Sequence, residues 1–238
     1  MNLGGKLRPV GEQTTASGAP FAGGQSKAAD HSPSVSADRT RQSNGLKEFL
    51  WLLSDVERGH LLDLGPAWQA TINFFTSRGF KVYADDLLRS WRDALRAEEE
   101  RLRTAPVGAR AEEADPAARA ERFMQNTLVF PAAQFHAVLA WDLFDYLDAD
   151  LVPRVAGALC DLLRPGGVLL AIFHSRTPAA FLRYRILDPQ TIELLPAPAL
   201  VPPQRIFQNR EILNLFSHFR STKTFVGRDQ IREALILK

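Results

Sequence analysis

Residues 61–86, LLDLGPAWQATINFFTSRGFKVYADD, constrain the fold more than any other stretch of the chain. An apolar run of Leu61, Leu62 and Leu64 carries Asp63 and stops at Gly65–Pro66, where backbone freedom and a missing N–H break regular structure. A helical segment follows, with Ile72 and Phe75 among its apolar positions, and ends at Gly79. A second strand, with Phe80, Val82 and Tyr83, ends in Asp85–Asp86. Strand, turn, helix, strand is the opening βαβ half of a nucleotide-binding sheet. In such a unit a ligand's charged part meets the helix N-terminus, and its ribose meets an acid about 20 residues beyond the first Gly. Asp85 and Asp86 stand at that spacing. Of the glycines such a turn usually carries, only Gly65 is present; Pro66, Ala67, Trp68 and Gln69 follow it.

The remaining chain gives this unit a domain to belong to. Its 238 residues allow one good-sized domain and a tail. Residues 1–44 are rich in Gly, Ser, Ala, Thr and Gln, cannot bury enough surface to offset ordering entropy, and are expected to be a disordered tail. The α/β domain is expected over 45–238. Leu46, Phe49, Leu50, Leu53 and Val56 recur at helical spacing, with Gly59 as the expected C-cap. Within 87–123, LLRSWRDALRAEEERLR reads as a charged helix, TAPVGARAEEADP as an exposed loop and AARAERF as a further turn or two, together an insertion or a lid. Leu128–Phe130 is a short apolar run, and Ala137–Trp141 a buried strand. A helix with Val152, Val155, Leu159, Leu162 and Leu163 on one stripe stops at the turn-forming RPGG (164–167). VLLAIFHS (168–175) is an uninterrupted apolar strand, as in a sheet covered on both faces. Strands are expected at 191–195, 206–207 and 222–226, and a helix capped by Asn209. The end of the chain is either a short helix over DQIREAL or a last strand over 234–237.

This order of elements resembles the class I S-adenosylmethionine-dependent methyltransferases over roughly residues 46–238. LLDLG (61–65) resembles the family's first motif and VYADD (82–86) its second-strand acid. LVFPAAQFHAVLAWDLFDYL (128–147) resembles the segment through the fourth strand, with Phe135–His136 where the family has Phe-Asp; LLRPGGVLLAIF (162–173) resembles the helix–PGG–strand junction. The resemblance implies a Rossmann-like, mostly parallel seven-stranded sheet with helices on both faces. It implies S-adenosyl-L-methionine as cofactor, its methionine end against Gly65 and the following helix N-terminus, with Asp63 orienting the loop or the amine. Ala67 is small enough for backbone approach. Asp86 would accept the ribose hydroxyls, with Asp85 as the fallback. The adenine would lie near Leu87 and 124–128, with Asn126 at its edge, and Asp142 and Leu143 would floor the methyl-donor site. Methyl transfer from a sulfonium depends mostly on alignment, so a strong base is not obligatory.

Other residues narrow the class. Net charge is +2, which gives no reason to expect a nucleic-acid or anionic-membrane partner, and no apolar run reaches the length of a membrane helix. With no apolar h-region at the start, the expected address is cytoplasmic. The single cysteine, Cys160, lies on a helix and reads as a structural thiol, which argues against cytosine-C5 methylation. The WDLF that ends the fourth strand is not the Asn/Asp-Pro-Pro-aromatic turn of amino-methylating DNA enzymes, so a small-molecule acceptor is expected. His174, after the fifth strand, is the acid/base candidate. His60, His136 and His218 lack metal-ligand spacing with one another, so no metal is expected. Arg183, Tyr184 and Arg185 read as a solvated helix end or loop, or as contacts to an anionic acceptor. The rival reading is a catalytically silent methyltransferase-like domain that binds a partner. A nicotinamide-dependent oxidoreductase would need further glycines and a Tyr/Lys pair, and neither is found.

Overall fold

The computed structural model describes residues 39–104, 115–227 and 229–238. Its centre is a six-stranded sheet formed by β2 (Gly59–Asp63), β3 (Phe80–Ala84), β4 (Phe135–Ala140), β5 (Leu163–His174), β8 (Ser221–Val226) and β9 (Ile231–Leu237), in the order β3-β2-β4-β5-β9-β8. The neighbours from β3 through β5 are parallel, and β9 runs antiparallel to both β5 and β8. β5 shows why the sequence builds this layer. Val168, Leu170 and Ile172 point into one apolar cluster and Leu169, Ala171 and Phe173 into the other, all buried. Strand geometry sends alternate side chains to opposite faces, so an unbroken apolar run is stable only where both faces are covered.

Helices supply the cover. One face carries α1 (Asn44–Leu52) and α2 (Gln69–Thr76); the other carries α3 (Leu87–Thr104), α4 (Pro116–Met124), α5 (Leu151–Leu162) and α6 (Asn209–Leu215). Their ends follow local chemistry. Ser43 accepts the Leu46 N–H at 2.9 Å and caps α1, Asp115 accepts the Ala118 N–H at 2.9 Å and caps α4, and Gln208 with Glu211 forms a capping box on α6. Each cap is worth about 1 kcal/mol.

A second, three-stranded antiparallel sheet lies apart from the first in hydrogen bonding: β1 (Thr40–Gln42), β7 (Thr191–Pro196) and β6 (Leu182–Asp188), in the order β1-β7-β6. β1 is tied to the main sheet through its buried Arg41, which donates to Asp229 at 2.6 Å and pairs with Glu233 of β9; Glu233 also accepts the Gly45 N–H at 2.6 Å.

Several expectations change. The sheet is not one mostly parallel seven-stranded layer but six strands plus three. The apolar run Leu128–Phe130, for which no element was expected, is irregular: Leu128 has φ 59°, and Phe130 and Phe135 pack edge-on. Order begins before residue 44, because β1 finds a partner in β7; the tail expected over 1–44 otherwise falls on residues 1–38, outside the described residues, as does 105–114 of the expected loop. Gly59 starts β2 rather than capping α1, which ends at Leu52. RPGG does not precede β5 but lies within it, Gly166 taking φ 76° while its N–H bonds the Lys238 carbonyl at 2.9 Å. Ile206–Phe207 is not a strand, and the chain ends in a strand rather than a helix. Among the described residues no helix is long and apolar enough to cross a membrane.

Candidate active site at the carboxyl edge

The chain leaves β2 toward β3 on one side and returns to β4 on the other, so the sheet reverses its strand order between β2 and β4. Crevices at the carboxyl ends of strands beside such a switch point are where doubly wound sheets bind ligands. Asp63, Gly65, Asp86, Asp142, Leu143 and His174 are brought to this edge, as the last residues of their strands or the first beyond them.

The turn after β2 is built on Asp63. Its Oδ1 accepts the Gly65 N–H at 3.0 Å and the Trp141 indole N–H at 2.7 Å. Burial pushes the Asp63 carboxyl up to about 6, against the pull of those two donors. Gly65 is needed for a reason internal to the fold: a Cβ there would lie 2.5 Å from Trp141 Cδ1. The close approach that the glycine permits is used by an indole. Beyond it, Ala67 is exposed and Trp68 precedes α2 without a side-chain cap.

β6 lies over this turn. The Ile186 N–H donates to Thr71 Oγ1 on α2 at 3.1 Å, and the Arg185 guanidinium stands 5.8 Å from the Trp68 ring. The Tyr184 ring stacks on Trp141, with centroids 5.5 Å apart and planes within 2°, and its hydroxyl donates to Asp142 Oδ2 at 3.3 Å. Arg183 grips Asp86 with two N–H groups at 3.2 and 3.0 Å. Asp86 also accepts the Arg89 N–H at 3.3 Å in the first turn of α3. The segment expected as loop or helix end is therefore a strand. Its L-R-Y-R-I-L-D alternation was the available signal, with buried Tyr184 and Ile186 two apart.

Below β6 sits a buried polar group that the sequence reading found only in part. His174 donates its backbone N–H to Asp145 Oδ2 at 2.7 Å, and its Nδ1 lies 2.9 Å from the same oxygen. An Nδ1–H bonded to a carboxylate leaves Nε2 as the working nitrogen. That Nε2 is 3.9 Å from Asp142 Oδ2 and has no hydrogen-bond partner among the described residues; nor does the Tyr146 hydroxyl. Burial works against a charged His174, but Asp145 and Asp142 outweigh it and raise its pKa. Asp142 is pushed up to about 7, chiefly by burial, with His174 opposing. Asp145, in WDLFDYL, carried no sequence signal distinguishing it from a surface turn acid.

Two expected contacts lie elsewhere. Asp85 and Asn126 line a separate hollow of about 540 Å³ between α3 and α4, with Trp91, Glu98, Arg101 and Arg119. Burial, then Asp86, raises the Asp85 carboxyl. His60 and His136 open β2 and β4 at the opposite, amino edge, where the His60 N–H donates to His136 Nδ1 at 3.1 Å. Cys160 is half-buried on α5.

The space left in the cleft decides what it admits. Gly65, Trp141, Asp142, Leu143, Arg183 and Tyr184 enclose about 10 Å³, whereas pockets for ligands of nucleoside size run from about 300 Å³ upward. With β6 in place, S-adenosylmethionine does not fit: Trp141 holds the approach to Gly65 and Arg183 holds the carboxylate of Asp86.

The chain matches no family model and no curated protein sequence. Among solved structures it is similar to the Burkholderia thailandensis 1,6-didemethyltoxoflavin-N1-methyltransferase with bound 1,6-didemethyltoxoflavin and S-adenosylhomocysteine, at 16% identity over 82% of this chain and 79% of that one, with a TM-score of 0.44. It is also similar to a SAM-dependent methyltransferase from Archaeoglobus fulgidus, at 8% identity over 81% and 91% and a TM-score of 0.45. The glycopeptide N-methyltransferase MtfA in complex with S-adenosyl-L-methionine matches at 16% identity over 82% and 94%, with a TM-score of 0.37.

Proposed function

We propose that this chain is an S-adenosyl-L-methionine-dependent methyltransferase of class I, acting on a small-molecule acceptor, whose cofactor cleft is closed by β6 in this structure. One observation carries the reading. The four stretches that resemble the family fall on one doubly wound sheet in matching places: LLDLG ends β2, VYADD runs from β3 to its terminal acids, FHAVLAWDLF makes β4 and the turn after it, and RPGG opens β5. Three of them deliver carboxylates to the carboxyl edge at the switch point, where a ligand with an amine and a ribose finds acceptors.

On this reading Asp63 and Gly65 hold the methionine end, Asp86 the ribose, and Asp142 with Leu143 the floor. Ala67, outside the cleft, and Asp85 and Asn126, in the neighbouring hollow, serve only a ligand that reaches past the closed cavity. His174, oriented by Asp145, takes a proton from the acceptor when the acceptor requires it.

The filled cleft favours a second reading, a methyltransferase-like domain that no longer binds cofactor and serves as a binding module. Calorimetric titration of S-adenosylhomocysteine into the full chain and into Arg183→Gln separates the two. Saturable binding to either form supports the methyltransferase. No binding to either at millimolar ligand overturns it and leaves the silent domain.

A further inference from the structure

We propose that Arg183 is a latch: it holds β6 down in the cleft by occupying Asp86, so that β6 and a nucleoside ligand compete for the same carboxylate. The inference rests on the methyltransferase reading for the identity of the ligand, but the latch itself stands on three features of this structure.

First, β6 is an edge strand. It pairs only with β7 within the small sheet, and no backbone hydrogen bond joins it to the main sheet. Side chains hold it to the body: Arg183 on Asp86, Tyr184 on Trp141 and Asp142, Ile186 buried in the apolar cluster beneath, and the bond from Ile186 N–H to Thr71. Lifting β6 breaks no ladder of the central sheet; it parts β6 from β7, or takes β7 with it at the expense of the β1–β7 pairing. Second, Arg183 supplies the bidentate, charged one of these ties. Its two N–H groups meet both carboxylate oxygens of Asp86, with both side chains mostly buried. Third, the closed state leaves hydrogen-bonding capacity unused below the start of β6. Among the described residues His174 Nε2, Tyr146 Oη and Asp145 Oδ1 are buried without partners, and Tyr146 packs edge-on against Phe181, the residue before β6. Buried polar atoms without partners oppose closure, and water or a ligand in an open cleft satisfies them.

The test measures the strand and the ligand separately. Amide hydrogen exchange over 182–188 reports β6, and calorimetry with S-adenosylhomocysteine reports the cleft, in the wild-type chain, Arg183→Gln and Asp86→Asn. Both substitutions break the latch and are expected to speed exchange in β6 without changing that of β5. Arg183→Gln is expected to tighten S-adenosylhomocysteine binding roughly fivefold or more, the scale of one lost ion pair. Asp86→Asn frees the strand equally but removes the ribose acceptor, so its affinity is not expected to rise. Unchanged β6 exchange in both variants overturns the latch, as does measurable binding by the wild-type chain that Arg183→Gln leaves equal or weakens. Faster exchange with no ligand binding in any form supports the latch and overturns the methyltransferase reading.

Discussion

Asp85 and Asp86 are neighbours in sequence but face different worlds. Asp86 is gripped by Arg183, which lines a cleft packed down to about 10 Å³; Asp85 lines a hollow of about 540 Å³. The cleft is closed by rings and a guanidinium in contact, Trp141 on Gly65, Tyr184 on Trp141 and Arg183 on Asp86. The hollow is spanned by long charged side chains: Glu98, nearly fully buried, pairs with Arg119 and Arg122, and Arg119 reaches Asp148 at 3.2 Å. Open volume therefore marks where two helices are bridged by arginines, not where chemistry gathers. The buried carboxylates and the oriented histidine are in the place with almost no room.

That contrast sets an order of effects. Trp141→Ala should cost most, about 3–5 kcal/mol in urea unfolding, because it leaves a cavity beside Gly65 and strips Asp63 of a donor. A loss below about 1 kcal/mol would mean that the indole does not seal the cleft. Next comes pH. Folding raises Asp63 to about 6 and Asp142 to about 7, so between their ordinary values near 3.8 and these raised ones the folded chain binds more protons than the unfolded one. Stability from this source is complete below about pH 4 and lost as pH rises to 7. Thermal unfolding should show the domain less stable at pH 7.5 than at pH 5 by on the order of 3 kcal/mol, a trend that Asp63→Asn flattens. Stability that climbs over that range would show the cleft carboxylates to be solvated.

Gly65→Ala should destabilise by about 1–3 kcal/mol through overpacking. Combined with Trp141→Ala its effect should shrink, since the atom it meets is gone; strict additivity in the double-mutant cycle would place the clash elsewhere. The smallest effect belongs to the hollow. Glu98→Gln should cost about 1 kcal/mol, since Arg119 and Arg122 remain partly in water, and a loss as large as that of Trp141→Ala would erase the distinction between the two regions.

The sequence made the central layer legible because its signals are local. Leu61–Asp63, Phe80–Tyr83 and Val168–His174 each declare a strand by composition, and Gly65 and Gly79 mark the breaks between elements. It also placed Asp63, Asp86, Asp142 and His174 at one edge. What it hid depends on partners far along the chain. Thr40–Gln42 is too short and polar to read as a strand until β7 pairs with it. Leu128–Phe130 offered an apolar run without an element, and a positive φ at Leu128 with the aromatic packing of Phe130 on Phe135 and Tyr83 gives it an irregular path. Arg183 and Tyr184 read as a solvated helix end or loop, or as contacts to an anionic acceptor; they lie instead on a strand packed against Asp86, Trp141 and Asp142. No spacing rule says that Trp141, at the end of one strand, will turn toward a glycine at the end of another.

The first described strand also bears on a sequence of events in time. Gln42 bonds to Thr191 across 149 residues, and Arg41 reaches Glu233 across 192. Contacts of such separation carry the greatest loop-closure entropy and form late, after the parallel core from β2 to β5 has something to condense around. On that order β1 joins β7 after the parallel core has formed, so the small sheet is completed last and the carboxyl edge is covered late. On the proposed function, a ligand present at that moment meets Asp86 before Tyr184 and Arg183 have settled over the cleft. The rate of refolding, followed by tryptophan emission, becomes a reporter of what the cleft can hold.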